Sequence, residues 1–276
     1  MPPENFSGSA AALLVATRAA QKAGEIIKRG WDRTQVIEEK GFGDLVSRID
    51  VECDRIIQEH LRAAYPEDAI LSEEISPGMS ELPRRFWIVD PLDGTSAFLF
   101  RVAPDMPSVM IALWENGEAR LSVVYFPLTG ELFSAVRGEG AYKGRQRLRC
   151  RSSKLHESWV EMNQYSDVQF ESLHFRTLRE NLRKPGGAML VTTNAAYSGA
   201  AAQIAEGKKR LSAVIHDNGP SKLKQGPWDV VAPALILTEA GGVAVNLRGS
   251  TYDPFMPEPF IMASSRHLAR EIINLL

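Results

Sequence analysis

The sequence is poor in cysteine: only Cys53 and Cys150 occur in 276 residues, far apart and in no spacing that suits a metal. That excludes a disulfide framework and fits a reducing compartment, so a cytoplasmic location is expected. Excess charge of either sign is missing as well, because 32 Lys and Arg against 34 Asp and Glu leave a formal net charge of -2. Bulk charge therefore gives no reason to expect nucleic-acid binding, which would need a local basic patch. No uninterrupted apolar run reaches membrane-spanning length. The first apolar stretch has Glu4 before it and Arg18 and Lys22 soon after, which does not read as a secretory signal. Repeats and low-complexity tracts are also lacking. With 44% hydrophobic and 24% charged residues, the remainder is ordinary globular sequence, enough for one large domain or two smaller ones.

Apolar spacing predicts an amphipathic helix over 9–29, with Leu13, Leu14, Ala20, Gly24 and Ile27 near one face. A second begins near Ser47, carries Ile49, Cys53, Ile56, Ile57 and Leu61, and stops at Pro66. The period then changes. RFWIVD (85–90) reads as a buried strand feeding a loop, and strands follow at 106–114, 119–126 and 131–137, joined by Asn116-Gly117 and Thr129-Gly130 turns. A short strand pair is expected around Gly138–Gly144. Beyond residue 150 the pattern predicts strands at 158–163, 188–192 and 211–215, and helices at 170–183 and 196–206. A loop at 216–227 then leads to a helix over 228–242 and a strand over 242–247. This mixture implies a layered α/β or α+β fold, with an N-terminal lobe over 1–150 and a C-terminal lobe over 151–276.

The sharpest chemical signal is Asp90-Pro91-Leu92-Asp93-Gly94-Thr95. Two carboxylates at the end of an apolar strand are costly unless paired or metal-bound. Pro91 diverts the backbone from regular structure, and Gly94 allows close approach to a ligand. Thr95 offers a hydroxyl and an N–H to an anion. Oxygen-only ligands favour hard cations such as Mg²⁺. An Asx-turn explains the same residues without any metal. Three other acidic positions are equally open. Glu73-Glu74 fits a solvated loop edge; Asp229, before an apolar helix, fits an N-cap; and Ser47 with Asp50 fits a capping box. A phosphatase motif of the D-x-D-G-T type, with its first Asp as nucleophile, is close but has one residue fewer, which changes the relative direction of the two carboxylates.

Together, LSEE (71–74), WIVDPLDGT (87–95) and WDVVAPALILTEAGG (228–242) resemble the inositol monophosphatase family, whose wider relatives include fructose bisphosphatases and bisphosphate nucleotidases. GDLVSRID (43–50) and FPLTGELFSAVRGEGAY (126–142) are similar to family segments too. The resemblance implies a five-layer αβαβα sandwich, a homodimer, and Mg²⁺-dependent, lithium-sensitive hydrolysis of a small phosphate monoester by metal-activated water. It implies that Glu73, Asp90 and the Leu92 carbonyl hold one Mg²⁺, and that Asp90, Asp93 and Asp229 hold a second. Asp50 would lie near an optional third. Gly94 and Thr95 would bind phosphate, Thr95 and Glu73 would orient the attacking water, Lys40 would help neutralise phosphate, and Glu74 would support the ligands from behind.

The chain also departs from the family pattern. Ala97 and Phe100 replace positions that are usually polar, and TTNAAYSGAA (192–201) replaces the stretch that helps shape the substrate site. The segment before Trp228 is lengthened, which makes His216 and Asp217 candidate substrate contacts. In RQRLRCR, Arg145, Arg147, Arg149 and Arg151 alternate with Leu148 and Cys150, as on a strand with one basic face. A solvated edge strand explains that stripe; an anionic or polyphosphorylated substrate does too. Three functions follow: a sugar or polyol phosphatase, a 3'(2'),5'-bisphosphate nucleotidase, or a non-catalytic metal- and phosphate-binding homologue.

Overall fold

The computed structural model describes residues 8–31, 37–41, 44–74, 81–101, 106–163, 173–193, 197–207, 211–216, 226–256 and 258–276. The chain opens with α1 (Ser9–Trp31), a small antiparallel hairpin of β1 (Ile37–Gly41) and β2 (Asp44–Ser47), and α2 (Arg48–Ala64). The strands β3 (Ala69–Ser72), β4 (Arg85–Asp93), β5 (Ser108–Glu115), β6 (Glu118–Phe126), β7 (Glu131–Val136), β8 (Gly140–Lys143) and β9 (Gln146–Arg147) form one sheet in that order. Only β3 and β4 run parallel; the other neighbours are antiparallel. The short helix α3 (Thr95–Phe100) follows β4 directly.

A second sheet is built from β10 (Trp159–Asn163), β11 (Leu190–Thr193), β12 (Leu211–His216), β13 (Val243–Asn246) and β14 (Phe260–Ala263), in the order β11-β10-β12-β14-β13. A 3₁₀ turn at Leu155–Glu157 precedes β10, and between the strands lie the helices α4 (Leu173–Leu182), α5 (Tyr197–Glu206) and α6 (Pro227–Glu239); α7 (Arg266–Ile273) follows β14.

Alternation along the strands explains the layers. On β4, Trp87 and Val89 face α1 and α2, while Phe86 and Ile88 face the opposite side, toward α6. β5 does the same, with Val109, Ile111 and Leu113 on one face and Met110 and Ala112 on the other. A strand buried on both faces reads as a continuous apolar run. Helix α6 is apolar all round because it is sandwiched: Val231, Leu235 and Ile236 meet the first sheet, and Val230 and Leu237 meet the second. The outer face of the second sheet is covered by Leu178 and Leu182 of α4 and by Leu268 and Ile272 of α7. The order is therefore helices α1 and α2, seven strands, helices α5 and α6, five strands, and helices α4 and α7. This is the five-layer sandwich.

One expectation is corrected. The basic stripe is not a strand along its length: Gln146–Arg147 pairs with β8 and Leu148 N still donates to the Ala141 carbonyl, after which Cys150 N donates to the Ala240 carbonyl at the end of α6. The backbone leaves the sheet for that helix, yet the arginines stay exposed and Leu148 stays buried. The hairpin β1–β2 and the terminal β14–α7 unit were not anticipated. Ser265 caps α7, its side chain accepting from Leu268 N at 3.2 Å.

Gly24 shows how closely α1 is seated. A Cβ there would lie 2.4 Å from Tyr125 Cε1 and 3.2 Å from Pro127 Cγ. In an open helix, Gly→Ala gains up to about 1 kcal/mol. Here the overlap decides the sign, because Tyr125 is itself packed in the core. Gly24→Ala should lower unfolding stability by about 1–3 kcal/mol, the usual range for overpacking. Urea unfolding checks this, and a stabilised variant would contradict the close seating of α1 on β6.

Candidate metal centre

Side chains alternate along a strand, so residues three apart should point to opposite faces. Asp90 and Asp93 do not, because the strand is irregular between them. Asp90 pairs with Met110 and Asp93 with Ser108, so three steps on β4 match two on β5. This bulge at Pro91-Leu92 brings both carboxylates to one side. Gly94, at φ 81°, then turns the chain into α3, a left-handed conformation that a side chain would strain.

The Asx-turn is present at Asp90 and leaves one carboxylate oxygen over. Its Oδ1 accepts from Leu92 N at 3.0 Å, while Oδ2 is buried without a hydrogen-bond partner among the described residues. A buried orphan carboxylate oxygen calls for a cation or a proton. Asp229 completes the group: one carboxylate oxygen from each of Asp90, Asp93 and Asp229 lies within 4.8 Å of the others, and all three residues are buried. The expected N-cap role of Asp229 is corrected. Gly226 is the N-cap, Pro227 opens α6, and Asp229 occupies the third helical position, where Oδ2 accepts from Gly226 N at 2.7 Å.

Burial pushes the Asp90 carboxyl well above the usual range, and the charges of Glu73, Asp93 and Asp229 push it further; the bond from Leu92 N pulls the other way. Glu73 follows β3 and is tied to β4 by its N–H, which donates to the Val89 carbonyl at 3.2 Å. The adjacent Glu74 is partly buried. Thr95 Oγ1 lies 2.9 Å from Asp50 Oδ1 and 3.1 Å from the Leu92 carbonyl. Asp50, 1% exposed on the first turn of α2, is thereby linked to the Asp-Gly-Thr loop.

His216, expected near substrate, ends β12 at 1% exposure with its ring 5.2 Å from that of Phe260, an interior position. Phe100 is 59% exposed. Asp217, residues 194–196 and the side chains of Lys40 and Ala97 lie outside the described residues. Two residues that sequence reasoning missed touch the cluster: Ser198 donates to Asp93 Oδ2, and Ser108 Oγ lies 3.0 Å from Ser198 Oγ. A cavity of about 990 Å³ lies elsewhere, between the β5–β6 turn, α6 and Tyr252–Phe255, and contains none of the three carboxylates. Two of its charged groups, Arg137 and Glu118, pair with each other at 3.3 Å.

Known proteins resemble this chain over most of its length. The family model described as the inositol monophosphatase family matches residues 10–276. The chain is 33% identical to inositol monophosphatase 2 of Solanum lycopersicum, over 95% of this chain and 96% of that one. It is also 33% identical to a fructose-1,6-bisphosphatase/inositol-1-monophosphatase of Thermotoga maritima, over 85% and 84%. The Nus factor SuhB of Escherichia coli is 29% identical over 86% and 85%. Among solved structures, a Thermotoga maritima IMPase superposes with a TM-score of 0.80 at 27% identity, covering 96% of both chains. On motif order, fold and full-length similarity together, the chain belongs to the inositol monophosphatase family.

Proposed function

We propose that this protein is a Mg²⁺-dependent phosphatase that hydrolyses a small sugar or polyol phosphate monoester. The observation that carries the reading is the convergence of Asp90, Asp93 and Asp229 around the orphan Oδ2 of Asp90. An all-oxygen, multiply anionic donor set fits a hard divalent cation. Glu73, Asp90 and the Leu92 carbonyl would hold one ion, and Asp90, Asp93 and Asp229 a second; Asp50 would lie near an optional third. Bound Mg²⁺ would neutralise charge on the phosphate and lower the pKa of a bound water.

The chain's own groups position the reactants. The single Thr95 hydroxyl hydrogen is directed to two acceptors, Asp50 Oδ1 at 2.9 Å and the Leu92 carbonyl at 3.1 Å. The Thr95 lone pairs are then available to accept from an attacking water, with Glu73 as the second orienting group. Gly94 and Thr95 present N–H groups to the phosphate. In this reading the N-terminal lobe over 1–150 supplies most of the ligands, and the lobe over 151–276 supplies Asp229. The fully buried His216 is left out of the substrate contacts. The protein is read as cytoplasmic, supported by two free cysteines, and as a homodimer, supported by the family resemblance.

A panel of inositol 1-phosphate, fructose 1,6-bisphosphate, histidinol phosphate and adenosine 3',5'-bisphosphate tests this, assayed with and without Mg²⁺. Mg²⁺-dependent phosphate release is expected, strongest with a sugar or polyol phosphate; preference for the adenosine bisphosphate would make the protein a nucleotidase. Asp93→Asn should reduce turnover at least about 100-fold, the upper end of losses at outer-shell positions, while the fold persists. Activity close to wild type would remove Asp93 from the metal site. Silence across the panel with intact Mg²⁺ binding would favour a binding protein on the same frame.

The raised pKa of Asp90 yields a pH test. A carboxyl with a higher pKa in the folded state takes up a proton on folding, so its stabilising effect is complete below the unfolded value of about 3.9. It is lost as the pH rises through the raised folded value. Mg²⁺ displaces that proton and relieves the repulsion. Mg²⁺ should therefore raise the melting temperature more at pH 8 than at pH 5.5. Equal shifts at both pH values would contradict a cation bound by Asp90.

A further inference from the structure

Asp93 is held by residues that no motif includes. It is 6% exposed, Ser198 is 1% exposed and Ser108 is fully buried. Ser108 stands directly across from Asp93 in the β4–β5 register. Ser198 comes from the second position of α5, and so arrives from the other half of the molecule. An ionised carboxylate only accepts, so Ser198 Oγ donates to Asp93 Oδ2. With its hydrogen committed, Ser198 receives the hydrogen of Ser108 across 3.0 Å. The direct Ser108–Asp93 contact is longer, 3.4 Å, so the chain of donation runs Ser108 to Ser198 to Asp93. Each hydroxyl polarises the next, which strengthens the terminal bond to the carboxylate.

We propose that Ser198, backed by Ser108, is a positioning residue that fixes the rotation of the Asp93 carboxylate for metal binding. The proposal rests on the reading of Asp90, Asp93 and Asp229 as a cation site. Ligating carboxylates need such partners, because a ligand free to rotate must be ordered each time the ion binds. Here the partner hydroxyl lies in residues 192–201, a stretch that departs from the family pattern. Its place on α5 makes cation affinity depend on how that helix is docked.

The test uses the full-length chain and Mn²⁺ as probe, with free Mn²⁺ read by electron paramagnetic resonance during titration of the metal-free protein. Ser198→Ala should weaken Mn²⁺ binding about 10–100-fold, the range for outer-shell partners of a metal ligand. Ser108→Ala, one bond further away, should weaken it less. Ser122→Ala is the control: this serine is fully buried on β6 of the same sheet, its hydroxyl has no partner among the described residues, and affinity should not change. Thermal melting of the metal-free variants separates positioning from packing. Lowered melting temperature with unchanged Mn²⁺ affinity in Ser198→Ala would overturn the proposal. Wild-type protein that binds Mn²⁺ but hydrolyses none of the panel would overturn the phosphatase reading alone; wild-type protein that binds no Mn²⁺ would overturn both.

Discussion

Three buried carboxylates cannot share one small volume as anions unless something positive joins them. At an effective dielectric constant of about 20, two unit charges about 4 Å apart repel by roughly 4 kcal/mol, before any cost of removing them from water. Asp90, Asp93 and Asp229 place oxygens within 4.8 Å of one another, and Glu73 adds its charge to Asp90. The surrounding architecture holds this arrangement in place. The bulge turns Asp90 and Asp93 to one side, the start of α6 delivers Asp229, and the end of β3 brings Glu73 alongside. None of these devices is needed for packing alone. Together they form a polar focus that stays unfavourable until a cation or a proton enters.

The layered fold makes that focus possible because α6 belongs to both halves. It packs against the first sheet through Val231 and Leu235 and against the second through Val230 and Leu237. Its first turn can therefore place Asp229 against strand β4 with little freedom. Ser198 provides a second cross-link from α5 to Asp93. If the three carboxylates hold a cation, as proposed, its affinity depends on how the central helices are docked.

Much of the fold was legible because local rules sufficed. The Asn116-Gly117 turn adopts φ 56° and 83°, the left-handed pair a tight hairpin requires, and the flanking apolar runs are strands β5 and β6. The first two helices follow their apolar spacing. Elements that depend on distant partners were harder to read. Segment 145–151 alternates like a strand but leaves the sheet after Leu148, and Cys150 N donates instead to the Ala240 carbonyl at the end of α6, a partner distant in sequence. The site divides in the same way. Asp90 to Thr95 form a local motif, while Asp229 and Glu73 were individually ambiguous and gained meaning only from the order of several motifs. Pro91 marked the irregularity that becomes the bulge, whereas Ser108 and Ser198 had no local signal, since two long-range hydroxyl contacts leave no pattern in neighbouring residues.

The central claim is that the carboxylates of Asp90, Asp93 and Asp229 jointly bind a divalent cation. The most direct measurement is anomalous diffraction from crystals of the protein equilibrated with Mn²⁺. The account predicts an anomalous peak between these three side chains, with the oxygen of Asp90 that lacks a protein partner in contact with the ion. At saturating Mn²⁺, a well-ordered cluster with no peak among the three carboxylates would contradict it.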